Sequence, residues 1–78
     1  MIDIRSGCGG RVEYFVEVDQ IATVIGGHEF VARLVGVRDV ATGLVEKTTG
    51  AKRHGSTLDE AVDRVVTDEE GQRRRIPS

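Results

Sequence analysis

The side chains that reactive chemistry would need are few in this chain and widely spaced. Cys8 with His28 or His54 is the only pairing of a nucleophile with a base. Nucleophilic catalysis needs the nucleophile beside a base that a third group orients, yet these three residues fall in separate loops or strand ends. Asp59, Glu60 and Asp63 are the densest carboxylates. Their spacing puts them on the solvated side of a helix, where a general acid lacks the burial that raises its pKa. His28-Glu29 and His54 lack the repeated His or Cys spacing of a metal site, and Cys8 has no second cysteine to join it. No glycine cluster leads into a helix through Lys-Ser or Lys-Thr, so a P-loop is absent. Gly7-Cys8-Gly9-Gly10 precedes a strand rather than a helix N-terminus, which leaves no phosphate cradle. The expectation is no catalytic residue, no cofactor and no metal, and a chain that is not an enzyme.

Charge offers a second possibility. Lys52-Arg53-His54 precedes the expected helix and Arg73-Arg74-Arg75 follows it. Lys52, Arg53, Arg73, Arg74 and Arg75 together could track phosphates. The helix between them carries Asp59, Glu60, Asp63, Asp68, Glu69 and Glu70 against Arg64 alone, and such an acidic rod repels a duplex. Six acids are also few for a mimic of a nucleic-acid backbone. The whole chain has a net charge of −2, too mild for electrostatic capture of nucleic acid or membrane.

At 78 residues the chain has room for one core and no deep internal site. A domain of this size buries roughly 60% of the surface its unfolded form exposes. The lone Cys8 cannot form an internal disulfide and suits a reducing compartment. No apolar run approaches the roughly 20 residues of a membrane helix, and Met1–Arg5 lacks signal-peptide anatomy. A cytoplasmic protein without membrane contact is the expectation.

The elements that would position these residues follow from periodicity. Ile2 and Ile4 alternate with Asp3 and Arg5, which predicts a short edge strand. Over residues 11–18, Val12, Tyr14, Val16 and Val18 point one way and Glu13, Phe15 and Glu17 the other, the clearest strand of the chain. Residues 20–25 read as a strand pairing with 28–37 across Gly26-Gly27, or as a long loop of the same sheet. Asp39 and Gly43 predict a tight turn, with the next strand from Leu44 to Thr49 at an edge marked by Lys47. Gly50 to Gly55 reads as a polar, basic loop.

Thr57 with Glu60, or Ser56 with Asp59, predicts a capping box. Leu58, Ala61, Val62, Val65 and Val66 fall at i, i+3, i+4, i+7 and i+8, the apolar stripe of an amphipathic helix. Gly71 is the expected stop. Asp68, Glu69 and Glu70 at the negative end of the helix dipole predict fraying. Residues 72–78 read as a basic, mobile tail after a single domain spanning 1–71.

Strand 28–37 is apolar on both faces: Phe30, Ala32 and Leu34 on one, Val31, Val35 and Val37 on the other. One helix covers one face of a small sheet. The second face, with Phe15 added, must be covered within the protomer, by a second copy, or by a partner.

Strands followed by one capped helix resemble two groups of small domains. One is the double-stranded-RNA-binding-like and AP2-like group, with three strands on a C-terminal helix, which implies nucleic-acid binding. The other is the HicB-like antitoxin group, whose helix is entered through a Gly-x-Thr-Leu-x-Glu-Ala stretch; Gly55-Ser56-Thr57-Leu58-Asp59-Glu60-Ala61 resembles it over seven residues. The proline-containing segment before the HicB-like helix is missing here, and acids replace the Lys-rich helix start of a double-stranded-RNA-binding domain. No functional residue is carried over from either group. In size and style the chain is also similar to phage and mobile-element inhibitors of bacterial defence, anti-CRISPR proteins among them.

These readings converge on an α+β fold: a three- to four-stranded antiparallel sheet packed on one C-terminal helix, β-β-β-α. The expected core is Val12, Tyr14, Val16, Val18, Phe30, Ala32, Leu34, Leu44, Leu58, Ala61, Val62, Val65 and Val66. The expected function is a non-enzymatic interaction module that occupies a partner's surface, as an inhibitor or antitoxin would. Its partner would be a protein or nucleoprotein complex, met through Phe15, Val31, Val35, Asp59, Glu60 and Asp63, with a homodimer through the second sheet face. The alternative is a nucleic-acid-binding module using the two basic clusters.

Overall fold

A computed structural model describes residues 1–22 and 27–75. The chain runs β1 (Ile2–Gly7), a 3-10 turn at Cys8–Gly10, β2 (Val12–Ala22), β3 (His28–Asp39), β4 (Val45–Lys47), β5 (Arg53–Gly55) and α1 (Leu58–Arg75). Every strand pairing is antiparallel, in the order β1-β2-β3-β4, with β5 pairing the other half of β3's outer edge. This is the expected α+β arrangement, a sheet with one C-terminal helix against it. The twelve residues of β3 at ~3.4 Å each span roughly 40 Å, which accounts for most of the 45 Å long axis.

The sheet forms because its strands alternate. Tyr14, Val16 and Val18 are buried on β2, while Glu13, Phe15 and Glu17 between them are partly exposed on the far side. Gln20, Ile21 and Ala22 pair with Phe30, Glu29 and His28, so the first part of the 20–25 segment is strand. Residues 23–25, and Gly26 of the expected turn, lie outside the described residues. Asp39 turns the chain as its type demands: its Oδ1 accepts from the N–H of Ala41 at 2.9 Å and of Thr42 at 3.0 Å. Gly43 completes the turn with φ +76°.

A β-bulge corrects the expected faces of β3. Phe15 stands opposite Gly36, but Val16 stands opposite Leu34, so Val35 is an extra residue on β3. Val35 and Gly36 therefore both fall on the outer side, and Val37 turns in with Ala32 and Leu34. Val37 is 7% exposed and belongs to the core, not to the outer face.

The core is Tyr14, Val16, Val18, Ala32, Leu34, Val37, Ala61, Val62 and Val65, with Val12, Phe30, Leu58 and Val66 packed against it. Leu44 departs from expectation at 72% exposed. It ends the turn before β4, where its carbonyl accepts from the Asp39 N–H at 2.8 Å and its side chain lies away from the helix. The expected loop 50–55 is also corrected. The Thr48 N–H donates to Val35 and the Gly50 N–H to Leu34, which leads the chain along β3 into β5, where Arg53, His54 and Gly55 pair with Ala32, Val31 and Phe30.

α1 starts as its sequence dictates. The Thr57 hydroxyl accepts from the Glu60 N–H at 3.1 Å, while the Ser56 hydroxyl donates to the Glu60 carboxylate at 3.1 Å. Its far end differs from the expected stop, since α1 passes through Gly71 to Arg75. The acids there are held rather than repelled. Asp68 accepts from Arg53 at 3.0 Å and from Gln72 at 3.5 Å, and Glu70 accepts from the Cys8 N–H at 3.1 Å. Residues 76–78 lie outside the described residues.

Candidate interaction surfaces

Among the described residues the expected contact residues fall on two surfaces. The first is the outer side of the sheet. Strand alternation places Ile2 and Ile4 of β1, Glu13, Phe15 and Glu17 of β2, and Val31, Arg33, Val35 and Arg38 of β3 on it. Ile2 and Ile4 are about half exposed, at 52% and 53%, and Phe15, Val31 and Val35 are half-buried. Rows of paired residues cross the face: Ser6, Glu13, Arg38 and Val45 form one, and Ile4, Phe15, Gly36 and Lys47 the next. Two ion pairs link β2 to β3 within the rows: Arg38 pairs with Glu13, and Arg33 Nη2 lies 3.3 Å from Glu17 Oε1. Between β5 and β3, His54 Nδ1 lies 3.3 Å from Glu29 Oε1, diagonally across the rows. The Phe15 ring leans over Gly36, where an added Cβ would meet Phe15 Cδ2 at 3.4 Å. The expected contact residues Phe15, Val31 and Val35 thus share one face.

The second surface is the solvent side of α1 beside β5. A groove of about 740 Å³ is lined by Arg53 and by Thr57, Asp59, Glu60, Asp63, Arg64, Thr67 and Asp68. The helical repeat brings these together, and Asp59, Glu60 and Asp63 of the expected contact set lie in it. Arg64 bridges its parts: Nη2 pairs with Glu60 at 2.9 Å and Nη1 donates to the His54 carbonyl at 2.5 Å. Asp63 is exposed. This contact set is therefore split between two surfaces on opposite sides of the sheet.

Arg5 ties β1 to the start of α1. Its Nη2 donates to Asp59 at 2.7 Å and its Nε to Asp3 at 2.9 Å. These bonds, that to Asp59 first, hold the guanidinium pKa above its ordinary value. The sequence carries no signal for this tie, nor for the cross-strand ion pairs, because both depend on register and on how the helix crosses the sheet.

The nucleophile and base candidates are not brought together. Cys8 is exposed at the β1–β2 turn, with Sγ 3.6 Å from the Tyr14 hydroxyl. His54 pairs with Val31, whose partner Asp19 lies seven residues along β2 from Val12 at the Cys8 end. Among the described residues no three His, Cys, Asp or Glu side chains are grouped as a metal ion requires. Of the basic residues, Lys52 is exposed and Arg53 is engaged by Asp68. Arg73, Arg74 and Arg75 end α1, and their side chains lie outside the described residues. No helix among the described residues is long and apolar enough to cross a membrane.

The chain matches no family model, no curated protein and no solved structure.

Proposed function

We propose that this chain is a non-enzymatic protein-interaction module of the cytoplasm that acts by occupying a partner's surface, as an inhibitor or antitoxin does. One observation carries the reading. The outer sheet face holds Ile2, Ile4, Phe15, Val31 and Val35 on the side that α1 does not cover. Apolar side chains left uncovered on one face of a small protein favour association. Half-buried aromatic and β-branched side chains suit the centre of an interface, and the ion pairs around them suit its polar rim. The acidic groove on α1 supports a second contact, with Asp63 exposed to a basic partner beside the Arg5-bound Asp59.

The test is affinity capture from a cell lysate with the intact chain and two variants read in parallel. Phe15→Arg disrupts the sheet face; Asp59→Lys with Asp63→Lys reverses the groove. A protein retained by the unaltered chain and lost with one variant supports the reading and locates the contact. Identical retention by all three, or none by the unaltered chain, overturns it.

A further inference from the structure

The outer sheet face is divided by sign along the boundary between β2 and β3. Outward on β2 stand Glu13, Phe15 and Glu17; opposite them on β3 stand Arg38, Gly36 and Arg33. Over the rows that flank Phe15 and Gly36, an acid on β2 stands opposite a base on β3; beyond them Asp19 stands opposite Val31 and Ile21 opposite Glu29. That pattern is complementary to itself under one symmetry operation. A two-fold axis lying in the plane of the face, parallel to the strands and between β2 and β3, lays β2 of one copy over β3 of the other and keeps every row in step. Glu13 then faces Arg38 of the second copy, Glu17 faces Arg33, and each Phe15 ring meets the bare backbone at Gly36. Because each ring already leans across its own Gly36, towards the axis, the two rings meet at the centre.

The other in-plane axis, across the strands, lays β2 over β2 and sets Glu13 against Glu17. Like charges facing one another disfavour it. The sign pattern therefore selects one arrangement of two copies. We propose that a second copy of this chain covers the outer face in a two-fold, sheet-on-sheet dimer centred on Phe15, with Glu13–Arg38 and Glu17–Arg33 continued across the interface.

The packing is physically ordinary. Aligned sheets stack about 10 Å apart with strands crossing at about −30°, and a two-fold interface uses the same patch on both partners. An interface of standard size takes about 800 Å² per partner, about one seventh of the 5437 Å² surface of this chain. Aromatic anchors at the centre and charges around them follow the usual distribution of interface energy. At the outer ends of the anchors' own row Ile4 faces Lys47 of the second copy, whose aliphatic stem can cover it. The inference rests on the reading of this face as an association surface and names its occupant. It leaves the α1 groove for a different partner.

The experiment is sedimentation of the full chain and of two charge-reversed variants, with circular dichroism confirming that each is folded. One variant carries Glu13→Arg and Glu17→Arg; the other carries Arg33→Glu and Arg38→Glu. The unaltered chain is expected at twice its 8.5 kDa mass at high micromolar concentration. Each variant alone is expected to be monomeric, and an equimolar mixture is expected to recover the dimer. A monomeric unaltered chain, a variant that still dimerises alone, or a mixture that stays monomeric overturns the proposal. Should either variant fail to fold, Ile4→Lys decides, since Ile4 is 53% exposed and its substitution spares the core. It is expected to weaken the dimer at least about tenfold, and an unchanged dissociation constant overturns the proposal. A monomeric chain that still captures a partner through its groove removes the dimer and leaves the interaction module standing. A dimer that captures nothing does the reverse.

Discussion

A Cβ placed on Gly55 would lie 2.5 Å from the backbone nitrogen of Ala61. β5 and the first turn of α1 therefore touch backbone to backbone, and only glycine leaves the room. The contact sets how closely the helix settles on the sheet, because Ala61, Val62 and Val65 follow directly into the core. Gly55→Ala is expected to force the two elements apart and cost about 1–3 kcal/mol. Thermal unfolding by circular dichroism should show a melting temperature lower by roughly 4–8 °C per kcal/mol. An unchanged melting curve would show that the helix start shifts at no cost.

Gly71 presents the opposite case. It lies inside α1 with nothing within 4 Å of the position a Cβ would take. Gly71→Ala removes backbone freedom from the unfolded chain and adds a better helix former, which is expected to stabilise by about 0.5–1 kcal/mol. The same melting experiment reads it, and a fall in stability would mean that the last turns of the helix do not form in solution.

Two leucines that look alike in the sequence separate in energy. Leu34 is 2% exposed in the core, and Leu44 is 72% exposed at a turn. Leu34→Ala is expected to cost about 2–5 kcal/mol. Leu44→Ala is expected to stay within about 0.5 kcal/mol. Urea unfolding of the two variants side by side checks the order, and equal costs would place Leu44 back in the core.

Arg5 gives a pH expectation. Its pKa is raised in the folded chain by the bonds to Asp59 and Asp3. A cation held above its unfolded value contributes stability fully below that unfolded value and loses it only as pH rises through the folded one. For an arginine both lie beyond the alkaline end of ordinary measurement. The melting-temperature difference between the unaltered chain and Arg5→Ala should stay constant from roughly pH 6 to 10. A difference that shrinks within that window would mean that another titrating group carries the effect.

The basic cluster before α1 should bind nucleic acid poorly, because Arg53 is held by Asp68 and the groove it lines carries Asp59, Glu60 and Asp63. Mixed oligonucleotides titrated at low and high salt check this. Tight binding at low salt that falls steeply with added salt would reveal phosphate contacts and restore the nucleic-acid reading.

Much of this architecture is written locally. The alternation of Val12, Tyr14, Val16 and Val18 gives the inner face of β2, and Thr57 with Glu60 gives the helix start, because each depends on neighbours a few residues away. The bulge at Val35 is different. It depends on how β3 registers against β2, and it moved Val37 from the outer face to the core. β5 was hidden for the same reason: Arg53-His54-Gly55 has no strand pattern of its own and is recruited by the free edge of β3. The contacts that hold the acids before Gly71 come from Arg53 and Cys8, both distant in sequence from them. The candidate surfaces divide likewise. Period alone groups Val31 with Val35 and separates Phe15 from Tyr14 and Val16, whereas their sharing one face, and the pairing of Glu13 with Arg38 and Glu17 with Arg33, need the folded register.

β1 reaches along β2 only to Glu17 and Val18, and β5 reaches along β3 only to Phe30. Beyond those points, among the described residues, Gln20, Ile21 and Ala22 have only Phe30, Glu29 and His28 as strand neighbours. Amide protons should accordingly exchange along a gradient, slow where four ribbons lie abreast and fast where two run unescorted. The molecule would then melt like a zipper from that free end, its hydrophobic centre surrendering last.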